Sequence, residues 1–154
     1  MNRFCAAAAA SLLTFSLAAP AWACMPPPYH TDFRKHPADV YAGERKAVDF
    51  ASDPAGAQLS DADKQRIRVE AAQGPNFAGA YRIVEVRCGE NCMKVLVVSL
   101  ATGKIHRVPV EGQVWVMHRI NSKFLVIRPK TGDTRAVKLF VFDGEQFRPA
   151  SAES

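Results

Sequence analysis

Between Tyr81 and Phe142 the chain carries a series of short apolar runs whose linkers are too short to hold a helix. The runs are Tyr81–Val86, Met93–Leu100, Ile105–Val108, Val114–Arg119, Lys123–Ile127 and Val137–Phe142, rich in β-branched and aromatic residues. Turn-forming clusters separate them: Cys88–Cys92, Thr102-Gly103, Glu111-Gly112, Asn121-Ser122, Thr131-Gly132-Asp133 and Asp143-Gly144. Parallel neighbours need a crossover of roughly a dozen residues or more, so these strands are expected to pair antiparallel. The expected fold class is mainly β (α+β): an antiparallel meander of about six to eight strands, curled or folded over itself, with one covering N-terminal helix. Val95–Val98 and Leu139–Phe142 are apolar on both faces. That marks central strands, covered by the helix or by a second sheet layer.

The helix is expected from about Ser60 to Ala72. Ser60 can cap it, Asp61 and Asp63 suit the positive end of its dipole, and Gly74-Pro75 stops it. Leu59, Ala62, Ile67 and Ala71 share a thin apolar face. Lys46–Phe50 reads as a short strand and Ala51–Ala57 as a loop. Cys24–Gly43 is rich in proline and polar residues, and its three consecutive prolines favour an extended course, as a tether or a strap laid over the domain.

Met1–Ala23 has the layout of a secretory signal. Arg3 supplies the positive start, Ala6–Ala18 the uncharged apolar stretch, and Ala21-Trp22-Ala23 a small-x-small cleavage site. A membrane span needs about 20 apolar residues, and Pro20 interrupts this run. The expected organisation is a signal at 1–23, an extended segment at 24–43 and one β-rich domain at 44–154. The expected location is periplasmic or secreted. Arg3 is the signal's only charged residue, so a mature chain beginning at Cys24 carries a net charge of +4. The charge is uneven: Asn76–Ser154 holds 12 basic and 7 acidic residues, against 7 and 8 in Cys24–Pro75. A basic β-rich half favours anionic partners such as lipid head groups or acidic polymers, or else is a solvated face.

Cys5 leaves with the signal, which leaves Cys24, Cys88 and Cys92 in an oxidising compartment. Cys24 is the candidate lipidation site, because a lipoprotein peptidase would cut the same bond ahead of it. Ala21 and Trp22 match the usual pattern for that enzyme poorly, so an envelope lipoprotein is the alternative location. Cys88 and Cys92 flank Gly89, Glu90 and Asn91 at the facing ends of a hairpin, within reach of a disulfide. The alternatives are a redox pair and a metal-ligating pair. The redox reading lacks its usual support, since C-x-x-C pairs sit at helix N-termini and this C-x-x-x-C is flanked by strands.

The stretch Gly74-Pro75-Asn76-Phe77-Ala78-Gly79, with Tyr81, Ile83-Val84-Glu85, Cys88-Gly89, Cys92 and Thr102-Gly103-Lys104, resembles a family of small exported bacterial proteins. That family carries G-P-N-F-A-G-x-Y-x-I-V-E-x-x-C-G-x-x-C, then a strand and T-G-K, and Phe142–Phe147 is similar to its closing aromatic-D-G-x-x-F hairpin. No biochemical activity is assigned to the family, so the resemblance implies fold and export only. Val86-Arg87 and Met93-Lys94 depart from its pattern. The cysteine-bracketed loop is also similar, more weakly, to that of periplasmic inhibitors of vertebrate lysozyme. It is shorter, lacks their histidine, and its basic surroundings disfavour a basic enzyme.

Other chemistry is sparse. Cys24, Met25, His30 and His36 are soft ligands in one segment but lack the tight spacing of a structural zinc site. His106 and His118 read as polar-face residues of strands. Glu85, an acid in an apolar strand, reads as the ion-pair partner of Arg82, Arg87 or a neighbouring-strand cation, or as a general base if buried. No phosphate loop, dinucleotide fingerprint, zinc-protease motif or nucleophile elbow occurs. The expected function is a non-enzymatic binding or structural protein with no implied cofactor. Its contacts would be the Gly89-Glu90-Asn91 loop and a basic sheet face. The expected partner is an envelope macromolecule rather than nucleic acid, with membrane contact only if Cys24 is lipidated. The alternative is a thiol-redox or metal-handling protein using Cys88 and Cys92.

Overall fold

Val95, Leu96, Val97 and Val98 are all fully buried, which requires cover on both faces of their strand. The computed structural model describes residues 29–130 and 136–151 and places them on β2 (Cys92–Ser99), at the centre of a three-stranded sheet. Its neighbours are β1 (Tyr81–Gly89) and β3 (Ile105–Glu111), both antiparallel to it. Pro109 is accommodated because β3 is an edge strand. The chain then crosses at Gly112 into a second antiparallel sheet, ordered β4 (Val114–Met117), β5 (Phe124–Pro129), β6 (Lys138–Phe142) and β7 (Phe147–Pro149). The meander is therefore folded over itself as two sheets, and the fold is mainly β.

Alternation along each strand sorts the core into three layers. Ile83, Val95, Val97 and Val108 meet Leu125, Ile127, Phe140 and Phe142 between the sheets. On the outside of the first sheet, Val84, Val86, Leu96 and Val98 pack under Ile67 and Ala71 of a helix, Asp61–Ala72. On the outside of the second, Phe124, Val126 and Leu139 pack under Phe33. Phe33 belongs to a short helix, α1 (Tyr29–Lys35), where the sequence read an extended course. The seven-residue stretch YHTDFRK is too short to show a period, so only its docked phenylalanine reveals it.

A short turn, α2 (Pro54–Ala57), precedes the long helix, which is therefore α3. The Ser60 hydroxyl accepts from the Asp63 N–H at 3.1 Å, the capping bond its sequence predicts. At the other end Gly74 takes a left-handed φ of 96° and the Arg45 guanidinium donates to the Ala72 carbonyl at 2.8 Å. Lys46–Phe50 is not a strand. Only Asp49 bridges the sheet, through a parallel contact with Lys104, before Phe50–Ser52 closes a 3-10 turn. The signal segment, Cys24, Met25 and the Thr131-Gly132-Asp133 turn lie outside the described residues. Among those residues no helix is long and apolar enough to cross a membrane.

Candidate functional site

The two ends of the sandwich differ in kind. At one end the Asn76–Tyr81 segment joins the parts of the domain. Asn76 accepts from the Ile83 N–H through its side-chain oxygen at 2.8 Å, and its carbonyl accepts from His118 Nδ1 at 2.9 Å. Phe77 and Tyr81 exchange backbone bonds across a tight loop in which Ala78 and Gly79 both have positive φ. The N–H groups of Ala78 and Gly79 donate to the carbonyls of Ser122 and Ile120 in the second sheet's β4–β5 connection. Gly79 also accepts from Tyr41, so the strap formed by residues 36–49 is fastened there. The strap is fastened again where Lys46 donates to Leu100 and Asp49 to Gly103. The motif residues thus have structural work: Asn76 and Phe77 lock a loop, Gly79 and Gly103 admit the strap.

His118 belongs to this joint and is not a surface histidine. The strand expected to run to Arg119 ends at Met117, and the next residue turns inward against Phe77. Because a carbonyl faces Nδ1, that nitrogen carries the proton. Burial lowers the His118 pKa, and nearby Arg82 lowers it further, against the opposing effects of the Asn76 bond and Glu85. A folded pKa below the unfolded value of 6.5 means that the unfolded chain binds the proton more tightly. His118 therefore adds stability above about pH 6.5, which is lost as pH falls below it. In urea titrations between about pH 7.5 and 5.5, His118→Asn is expected to flatten the decline seen in the parent; equal slopes would contradict this assignment.

The acid in β1 also differs from expectation. Residues an odd number apart on a strand face opposite ways. Arg82 accordingly turns to α3, donating to Glu70 at 2.7 Å and Gln73 at 2.6 Å, while Glu85 lies on the inter-sheet side and makes no ion pair among the described residues. His106 Nδ1 lies 3.2 Å from the Glu145 carbonyl, and its ring packs on Tyr81 and Phe142. The His36 ring stacks on Phe124. The His30 side chain, like Cys24 and Met25, lies outside the described residues. Among those described, no three His, Cys, Asp or Glu side chains are grouped so as to hold a metal.

The opposite end carries the cysteine loop. Cys88 and Cys92 are joined by a disulfide, with Cα atoms 5.0 Å apart. Arg87 pairs with Met93 and Gly89 with Cys92, so Cys88 is the extra residue of a bulge that directs its sulfur at Cys92. Gly89 is the last paired residue of β1, and the turn itself is Glu90-Asn91. The Gln113 side-chain amide donates to Asn91 Oδ1 at 2.8 Å, and the Gly112 N–H donates to the Met93 carbonyl at 3.1 Å. The loop is thereby fixed to the crossover between the sheets. The disulfide closes so small a ring that Cys88→Ser with Cys92→Ser is expected to cost about 2 kcal/mol, leaving the fold intact. Urea unfolding checks this; unfolding of the variant in buffer would contradict it.

Around this loop the structure assembles residues that the sequence scatters. Arg66 of α3, Arg87, Glu90, Cys92, Met93, Gln113 and Lys130 line a cleft of about 390 Å³. Lys130 Nζ lies 4.6 Å above the ring of Trp115, which is 59% exposed. The sheets cover each other, and α3 and Phe33 of α1 pack on their outer sides. The cations of this cleft instead stand at one end of the sandwich. The sequence offers Arg87 only as a partner for Glu85 or a departure from a motif and Met93 only as a strand residue or such a departure, and it singles out neither Arg66 nor Lys130. The one available signal was Trp115, a large aromatic in a strand whose neighbours alternate.

Comparisons of the chain with protein-family models, with curated proteins and with solved structures gave no significant match.

Proposed function

We propose that this is an exported, non-catalytic binding protein that presents the Cys88–Cys92 loop and its adjoining cleft to a macromolecule of the cell envelope. The observation that carries this reading is the contrast between the two ends. The motif residues from Asn76 to Tyr81 are consumed in holding the domain together, whereas the loop end is rigid, exposed and lined by charges without ion-pair partners among the described residues. A loop fixed by a disulfide loses little entropy on binding. The signal-like start and the resemblance of Gly74–Lys104 to small exported bacterial proteins support the location. Lipidation of Cys24 would add a membrane anchor without changing the contact surface.

The test compares retention of envelope components on the immobilised protein and on Glu90→Lys with Asn91→Ala, two substitutions in an exposed turn. Retention is expected to change at least about tenfold, while urea unfolding shows a loss of no more than about 1 kcal/mol from the Asn91–Gln113 hydrogen bond. Equal retention by the two proteins would overturn the reading.

A further inference from the structure

We propose that the cleft beneath the disulfide loop binds an acidic glycan, with its carboxylate or sulfate held by Arg66 and Arg87 and a sugar ring lying against Trp115. This deepens the binding-protein reading above and rests on it.

Charge is the first reason. Arg66, Arg87 and Lys130 converge on a space that holds one carboxylate, Glu90. Neither arginine has an ion-pair partner among the described residues, although exposed cations elsewhere in the chain find them: Arg107 with Asp53, Arg148 with Asp143 and Lys46 with Glu44. Cations facing one another across a cleft repel, and an anion between them relieves that repulsion. The planar fork of arginine matches a carboxylate or sulfate with two parallel hydrogen bonds.

The second reason is Trp115. Among the described residues it is the most exposed of the large apolar side chains, and Lys130 links it to the cleft by lying over its ring. A tryptophan held on a strand loses little freedom on binding and offers a flat apolar surface with a wet rim. The C–H face of a pyranose fits such a surface, and its hydroxyls fit the Gln113 amide that also lines the cleft. A cleft of about 390 Å³ is in the range of small-ligand sites and would take a sugar unit or two of a longer chain. An anionic lipid would use the same cations but would need an apolar margin that enters the acyl region. Apart from Cys92 and Met93, the cleft is lined by the polar and charged Arg66, Arg87, Glu90, Gln113 and Lys130.

From Cys24 onward Trp115 is the one tryptophan in the sequence, so in the exported protein its fluorescence reports on this site alone. The exported protein is titrated with short oligogalacturonate, heparin-derived oligosaccharide, neutral dextran oligosaccharide and phosphatidylglycerol vesicles. The expected result is a saturable change in Trp115 emission with one of the acidic oligosaccharides and none with dextran. Affinity should fall at least about tenfold in Arg66→Ala with Arg87→Ala, and should weaken strongly at molar salt. Both arginines are exposed and outside the core, so the double variant retains the parent's unfolding midpoint. Trp115→Ala, followed by calorimetry, should also weaken binding.

Equal binding of dextran, binding of vesicles without either acidic oligosaccharide, no response to any of the probes, or full affinity in the double arginine variant would each overturn the glycan assignment. If the glycan arm fails while envelope retention still depends on Glu90 and Asn91, only the ligand class is wrong. If that retention is also unchanged by the loop substitutions, the binding reading itself fails.

Discussion

Gly79→Ala is expected to remove about 2–5 kcal/mol of folding stability, a large part of the 5–15 kcal/mol typical of a small domain. Two costs combine. Gly79 has a φ of 77°, which an L side chain adopts only at a cost of roughly 1–2 kcal/mol. An added Cβ would also lie far inside van der Waals contact of the Asp39 carbonyl oxygen. The strap cannot simply shift away, because Tyr41 donates to the Gly79 carbonyl at 3.1 Å and the Gly79 N–H donates to Ile120 at 2.6 Å. Urea unfolding monitored by circular dichroism measures the loss. A change below about 0.5 kcal/mol, the size of ordinary surface substitutions, would mean that the strap does not cross the domain at Gly79.

Phe77→Ala is expected to be equally severe, about 3–5 kcal/mol. Phe77 is fully buried between the sheets, with ring centroids 6.0 Å from Phe142, 6.2 Å from Phe147 and 6.4 Å from His118. Truncation opens a cavity where the N-terminal joint, the last hairpin and the β4 end meet, and none of these elements can close over it alone. Phe147 is only half buried, so the short β7 is expected to loosen first. Phe77→Leu keeps most of the volume and should cost less than about 1.5 kcal/mol. The urea midpoints of the two variants give the comparison, and equal losses would show that burial of the ring is not what holds the joint.

Much of the architecture is legible in the residues themselves. The two-faced apolar runs at Val95–Val98 and Leu139–Phe142 require double cover, and the layered sandwich supplies it. Ser60, Asp61 and Asp63 fix where α3 starts. The closing hairpin is set by Asp143, whose carboxylate accepts from the N–H groups of Glu145 and Gln146 and from Arg148. Those bonds hold its pKa far below the usual carboxylate range.

What the sequence conceals is long-range. Nothing local distinguishes Gly112, where the meander crosses between sheets, from the other turn glycines. Val48 and Phe50 look like strand residues because they are apolar, yet they pack against the first sheet's helix-side core from a segment that bridges a strand only at Asp49. His118 is polar and sits at a strand end, so periodicity assigns it to the surface. Only the Asn76 carbonyl across the domain draws it inward. The cleft is the extreme case. Arg66 comes from α3, Arg87 from β1, Gln113 from the crossover between the sheets and Lys130 from just beyond β5, and no spacing rule connects them.

The division between a structural joint and a binding end is tested most directly by amide hydrogen exchange read residue by residue. The N–H groups of Asn76, Phe77, Ala78, Gly79 and Tyr81 all donate to backbone carbonyls within the joint. They are expected to exchange only through global unfolding, at the rate of the central β2 amides, with Tyr41 protected beside them. Exchange of these amides through local opening, well ahead of β2, would contradict the claim that this motif is what holds the domain together.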